Sequence, residues 1–237
     1  MKKIVLSLVA FSLFGCAEMQ QVMDQLPQGT GVLSQAEIGS GLKEALNNGI
    51  TKQVSKLTAT DGFYRNEAVK IFLPEELQTV DKKLRQIGLS KLADEGLKVI
   101  NRAAEDAVKE ATPIFVDAVK QMSFNDAKNI LLGNDSSATN YLQNTTTTSL
   151  QAKFTPVIQS SYTRVGADKV WSEIITKYNS LPLVKKVNPN LTEYTTAKAM
   201  EGVFKMIAVE EKDIRTNLNA RSSNLLKKVF ALQDGKQ

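Results

Sequence analysis

The chain has 237 residues, 42% of them apolar, and carries 30 Lys and Arg against 25 Asp and Glu, a formal charge of +5. It holds one cysteine and no histidine, which removes His-dependent triads, histidine general bases and the commonest metal ligand, and leaves no thiol set for zinc or iron–sulfur sites. The charge is mixed in sign along the chain, without the basic stripe and interleaved aromatics of a nucleic-acid binder, so no nucleic-acid partner is expected.

Lys2 and Lys3 precede an apolar run from Ile4 to Phe14, a charged region and a hydrophobic region of signal-peptide length. The run is too short to span a hydrocarbon core, which takes about 20 apolar residues. It ends in Leu13-Phe14-Gly15-Cys16, which resembles the lipobox of bacterial lipoproteins. The resemblance implies cleavage after Gly15 and acylation of Cys16. A secreted chain that used cysteine for stability would carry pairs, and Cys16 is alone. Ala17, where an aspartate would resemble an inner-membrane retention signal, points to the periplasmic face of the outer membrane. Loss of residues 1–15 takes Lys2 and Lys3 with it and leaves 222 residues at +3.

Residues 16–33 are weakly patterned and read as a lipidated tether. Residues 34–237 then read as an all-helical periplasmic domain. Ser34 with Glu37 three residues on has the capping-box pattern. Ile38, Leu42, Leu46, Ile50, Val54 and Leu57 follow as one helical stripe, with Gly39, Gly41 and Gly49 suggesting close approach of a neighbour. Asp61-Gly62 breaks the chain. The segment Ala68 to Leu73 leads into Pro74, which opens a helix through Leu77, Val80, Leu84 and Ile87 that Gly88 closes. Ser90 starts an alanine-rich helix (Ile100, Ala103, Ala104, Ala107), a pattern that predicts tight helix–helix packing.

Thr112-Pro113 is expected to restart the chain as N-cap and first helical residue. Ser123 with Asp126 opens a short helix that Gly133 ends. Residues 134–149 are polar and Thr-rich and read as a loop with at most one helical turn, where a break between two packed subdomains would fall. Two helices follow, one with Phe154 and Ile158 that Pro156 is expected to kink or split, the other with Trp171 and Ile175. The stretch 178–190 reads as a loop from its prolines and asparagines. Two last helices carry Val203, Phe204 and Ile207, then Leu218, Leu225 and Val229. No alternating apolar run argues for a sheet, so the class is all-α, with about eight to ten helices.

Several segments in order carry a family resemblance: GLKEALNNGI (41–50), DGFYRNEAVKIFLP (61–74), INRAAEDA (100–107), FVDAVKQMSFNDAKNILLG (115–133), ATNYLQ (138–143) and EEKDIRTNLNARSSNLLKKVF (210–230). Together they resemble the bacterial lipoprotein family catalogued as domain-of-unknown-function family 4197. The resemblance implies a signal and lipobox at the start of the chain. It implies no activity.

Chemistry is sparse. Ser40 and Lys43 match the Ser-x-x-Lys nucleophile pattern, but the companion Lys-Thr-Gly is missing. The richest cluster is Asn101, Arg102, Glu105 and Asp106 on one predicted helix, with Glu210, Glu211, Arg215 and Arg221 near the C-terminus. Arg102 is placed to meet Glu105 and Asp106, and Glu211 to meet Arg215. These residues read either as ion pairs that dock the terminal helices or as an anion- or partner-binding cluster, and Glu105 with Glu210 as a carboxylate pair. Phe115, Met122, Phe154, Trp171, Phe204 and Met206 are core by their spacing, and would line any interhelical cavity. Calcium motifs, phosphate loops and nucleotide fingerprints are absent, so no cofactor, metal or catalytic residue is expected. The leading expectation is a non-catalytic binding or scaffold lipoprotein that contacts another envelope protein. A carrier or sensor of a lipid or other hydrophobic small molecule is the alternative, and an envelope hydrolase the third.

Overall fold

The computed structural model describes residues 33–86, 88, 90–180, 183, 186 and 190–234. The expected signal peptide, Cys16, nearly all of the tether and most of the 181–190 loop lie outside the described residues. Among the described residues the chain forms α1 (Gln35–Thr58), α2 (Glu75–Gln86), α3 (Ser90–Val108), α4 (Ala111–Gln121), α5 (Phe124–Leu131), α6 (Ser137–Val165), α7 (Ala167–Asn179), α8 (Thr192–Thr216), a 3₁₀ turn (Leu218–Ala220) and α9 (Asn224–Asp234). No strand occurs among them. The protein is all-α.

The long helices α3, α6 and α8 pack on one another in the middle, and α1 crosses α4, α5, α8 and α9. The predicted stripe of α1 is its buried face: Leu42, Leu46, Ile50, Val54 and Leu57 are all at most 8% exposed. The alanines of α3 do what their size allows. Ala103, Ala104 and Ala107 are fully buried where α3 meets α6 and α8, because a methyl side chain lets helix backbones come close. Gly41 and Gly49 make room for side chains rather than a backbone: a Cβ on Gly41 would lie 2.6 Å from Val229 Cγ2, and one on Gly49 3.1 Å from Glu210 Cγ, while Gly39 faces open space.

The 134–149 region differs from the sequence reading. From Ser137 on it is the first turns of α6, a 29-residue helix that runs through the Thr-rich stretch and on past Pro156 without splitting. Leu142, Thr146, Leu150, Phe154 and Ile158 fall every four residues on its buried side. The Thr145, Thr146 and Thr147 hydroxyls donate to the carbonyls of Tyr141, Leu142 and Gln143. These bonds satisfy the hydroxyls within the helix and offset the low propensity of threonine. Pro156 sits on the exposed side, where the carbonyl it leaves without an amide partner is open to water. Gly166, at φ 67°, ends the helix in the left-handed conformation. The described residues from Gln35 onward form one compact unit.

Smaller boundaries also shift. α4 begins at Ala111, so Thr112 and Pro113 lie inside its first turn rather than capping it, which costs no hydrogen bond because first-turn amides have no helical acceptor. The capping box at Ser123 and Asp126 forms in both directions.

Candidate functional site

The charged residues on α3 organise the loop between α1 and α2. Asp61-Gly62 turns the chain back over the end of α1, where a side chain at Gly62 would strike the carbonyls of Lys56 and Leu57. Asp61 has φ 66°, and its carboxylate is held by Arg65 Nε at 3.1 Å and Arg102 Nη2 at 2.6 Å. Arg102 also donates to Glu105 Oε2 at 2.6 Å, and the other oxygen of Glu105 accepts the amides of Phe63 and Tyr64. One turn earlier, Asn101 pairs with Ile71 as a neighbouring strand would, accepting from its amide at 2.8 Å and donating to its carbonyl at 2.9 Å. Buried backbone in a loop must find partners, and here side chains of α3 supply them.

Asp106 faces elsewhere. It accepts from Lys109 at 2.8 Å and from Ser161 at 3.2 Å, with Arg164 at 3.9 Å. The expected contact between Arg102 and Asp106 does not form. Burial pushes the Asp106 carboxyl up, but Lys109, Ser161 and Arg164 outweigh it and hold it below the usual aspartate value.

The C-terminal charges form a second, denser set around one buried pair. Glu211 and Arg215, on successive turns of α8, meet at 2.8 Å and are both nearly inaccessible. Glu211 accepts the amides of Ala138 and Thr139 and the Thr139 hydroxyl, so it caps the start of α6 with the charge that a helix N-terminus favours. Arg215 donates to the carbonyls of Ile130 and Leu131 and to Gln233, and so closes the end of α5. Arg221, 2% exposed, donates to the carbonyls of Ile214 and Arg215 at the end of α8 and grips Asp234 with two bonds of 2.7 Å. That grip holds the Asp234 carboxyl below its usual value. All three nitrogens of each of these two guanidinium groups are thus engaged by the protein's own acceptors.

Residue 210 points the other way. Glu210 takes Lys52 at 2.6 Å on one oxygen and the Gln53 amide on the other, both from α1. Glu105 and Glu210 share no partner and lie on different sets. Ser40 and Lys43 are not brought together as a nucleophile pair either: Ser40 is exposed, and the Lys43 ammonium donates to the carbonyl of Lys120.

Between α1, α8 and α9 lies a partly open cavity of about 180 Å³. Its walls are Leu42, Leu46 and Ile50 of α1, Ile207 of α8, and Leu226 and Phe230 of α9, with Lys52, Glu210, Asn48 and Ser222 also lining it. The buried pair Glu211–Arg215 forms part of the wall. None of the six aromatic and methionine positions expected at such a cavity lines it. Phe115, Met122, Phe154 and Phe204 fill the core instead, and Phe115 meets Phe204 edge to face at 5.9 Å. Trp171 borders a different, more polar hollow beside Tyr162 and Thr192.

Residues 32–231 match a family model described as "Protein of unknown function (DUF4197)". The chain belongs to that family. No curated protein and no solved structure matches it. The family match spans the α3 set, every wall of the cavity and the second set as far as Arg221, while Gln233 and Asp234 lie just past its end. Sequence reading passed over Asp61, Gln233 and Asp234, Lys52 at the cavity, and Gln53 behind Glu210. Asp61 reads as part of a turn signal, and its partner Arg102 is 41 residues away. Nothing local marks Lys52 and Glu210, 158 residues apart.

Proposed function

We propose that this DUF4197 protein is a lipid-anchored, non-catalytic binding module of the cell envelope, and that it holds a small hydrophobic molecule between α1, α8 and α9. The observation that carries the reading is the cavity: concave, walled by Leu, Ile and Phe, and bordered by a few polar groups, the usual composition of a small-molecule site. Its size sets the ligand class. An enclosed protein cavity of roughly 150 Å³ accepts benzene, so about 180 Å³ has room for one ring or a short alkyl chain. The charged clusters support a rigid frame for such a site, since their donors and acceptors are spent on helix ends.

The anchor rests on the lipobox at Leu13–Cys16, and the periplasmic face of the outer membrane on that lipobox with Ala17. Cys16→Ser is expected to leave the protein unacylated; a Cys16→Ser chain that still partitions with membranes and migrates as mature wild type does would sink the anchor. For the site, the Cys16→Ser chain exported to the periplasm is purified without detergent and titrated with 2-phenylethanol by calorimetry and methyl NMR. Shifts at Leu226 and Ile207 that vanish in Ala45→Leu, which fills the cavity, are the expected result. Binding that Ala45→Leu leaves untouched would remove the cavity as the site.

A further inference from the structure

We infer that the ligand of this cavity is a small apolar amine, taken up by exchange of its ammonium group for that of Lys52 on Glu210; this rests on the binding reading above. The groups along the cavity differ in what they can still do. Arg215 donates from every nitrogen to Glu211, Gln233 and two carbonyls, and Glu211 is saturated by two amides, a hydroxyl and Arg215. Neither can serve a ligand without uncapping α5 or α6. That leaves the ion pair of Lys52 and Glu210 as the charged pair free to rearrange.

The two partners of that pair are unequal. The Lys52 side chain is 49% exposed and that of Glu210 18%. Lys52 can leave for water on its flexible stem, and an ion pair with one half-exposed partner contributes little to stability. Glu210 cannot leave as easily. It is tied to Gln53, which is 1% exposed, and its stem fits against Gly49.

A carboxylate ligand would have to draw Lys52 off Glu210 and leave the sheltered Glu210 without a counter-charge, which is the expensive side of breaking a pair. A ligand ammonium replaces one cation by another. Glu210 keeps its charge partner and its bond to Gln53, and the ligand's apolar body lies against Leu226, Phe230 and Ile207. The charge on the site is the same before and after the exchange.

The test compares phenethylamine, 2-phenylethanol and phenylacetate, three molecules of similar apolar body, on the full Cys16→Ser chain at pH 7 by calorimetry, with NMR at Leu226 and Ile207 to locate each. The amine is expected to bind about tenfold more tightly than the alcohol, and the carboxylate most weakly. Glu210→Gln should erase the amine preference while alcohol binding persists, and Lys52→Met should tighten the amine severalfold by removing its competitor. If the alcohol binds in the cavity as well as the amine, or the carboxylate binds best, the amine inference is overturned and the binding reading stands. If none of the three perturbs the cavity, both are overturned.

Discussion

At the scale of single residues, the decisive feature is how adjacent acids on α8 are spent. Glu210 and Glu211 differ by one residue, about 100° around the helix. One faces α1 and water, the other the buried start of α6. Glu211→Ala leaves Arg215 charged and buried and uncaps two amides, so a loss of about 3–5 kcal/mol is expected in urea unfolding. Arg215→Met should cost a comparable amount, and the double variant clearly less than the sum, since both changes remove the same unit. Additive losses would show that the two act separately. Asp234 makes a pH prediction. Arg221 depresses its folded pKa, so its stabilisation is present above the ordinary aspartate range, about pH 4, and fades as pH falls through the depressed value. Asp234→Asn should therefore be less stable than wild type at neutral pH, and the gap should close in acid. A gap that stays constant with pH would remove Asp234 as a titrating contributor.

At the scale of elements, side chains of one helix often stand in for regular structure in the next segment. The 61–74 connection has no helix or strand of its own, yet Asn101 and Glu105 satisfy its buried amides at Ile71 and Phe63. Asn101→Ala should cost about 1–3 kcal/mol by orphaning the Ile71 amide and carbonyl. Hydrogen exchange at Ile71 should quicken far more than at amides in α6. Equal protection in both proteins would show that the loop is held by its apolar residues alone. Element type was legible where periodicity and punctuation agreed, as in α1, α3 and the Ser123–Asp126 box. It failed in α6. Composition there says loop, but threonines bonded back to their own helix and a buried side repeating every four residues override propensity.

At the scale of the whole molecule, α9 packs chiefly on α1, returns to α8 through Gln233 and holds Arg221 through Asp234, and the cavity is the space left between the three helices. Ala45→Leu, which adds apolar volume there, should raise stability by about 1 kcal/mol by filling it, as read from the urea midpoint. Destabilisation instead would show that the walls are already in contact around Ala45. The core of aromatics expected from spacing is present, but on the α4–α6–α8 side. Which apolar side chains face a void depends on where helices stop short of one another, and no single helix records that.

The sequence by itself determined the helical class, most helix ends and the absence of histidine and paired-cysteine chemistry, because those depend on residue identity and on neighbours three or four positions away. It also carried the family, through segments spread from 41 to 230. Only the tertiary structure decided that Arg102 turns to Asp61 and not to Asp106, that Arg221 reaches Asp234, and that Lys52 meets Glu210 across 158 residues. Such pairings are set by the crossing of whole helices. A charged side chain can reach several partners of similar Coulomb energy, and packing of the apolar faces chooses among them.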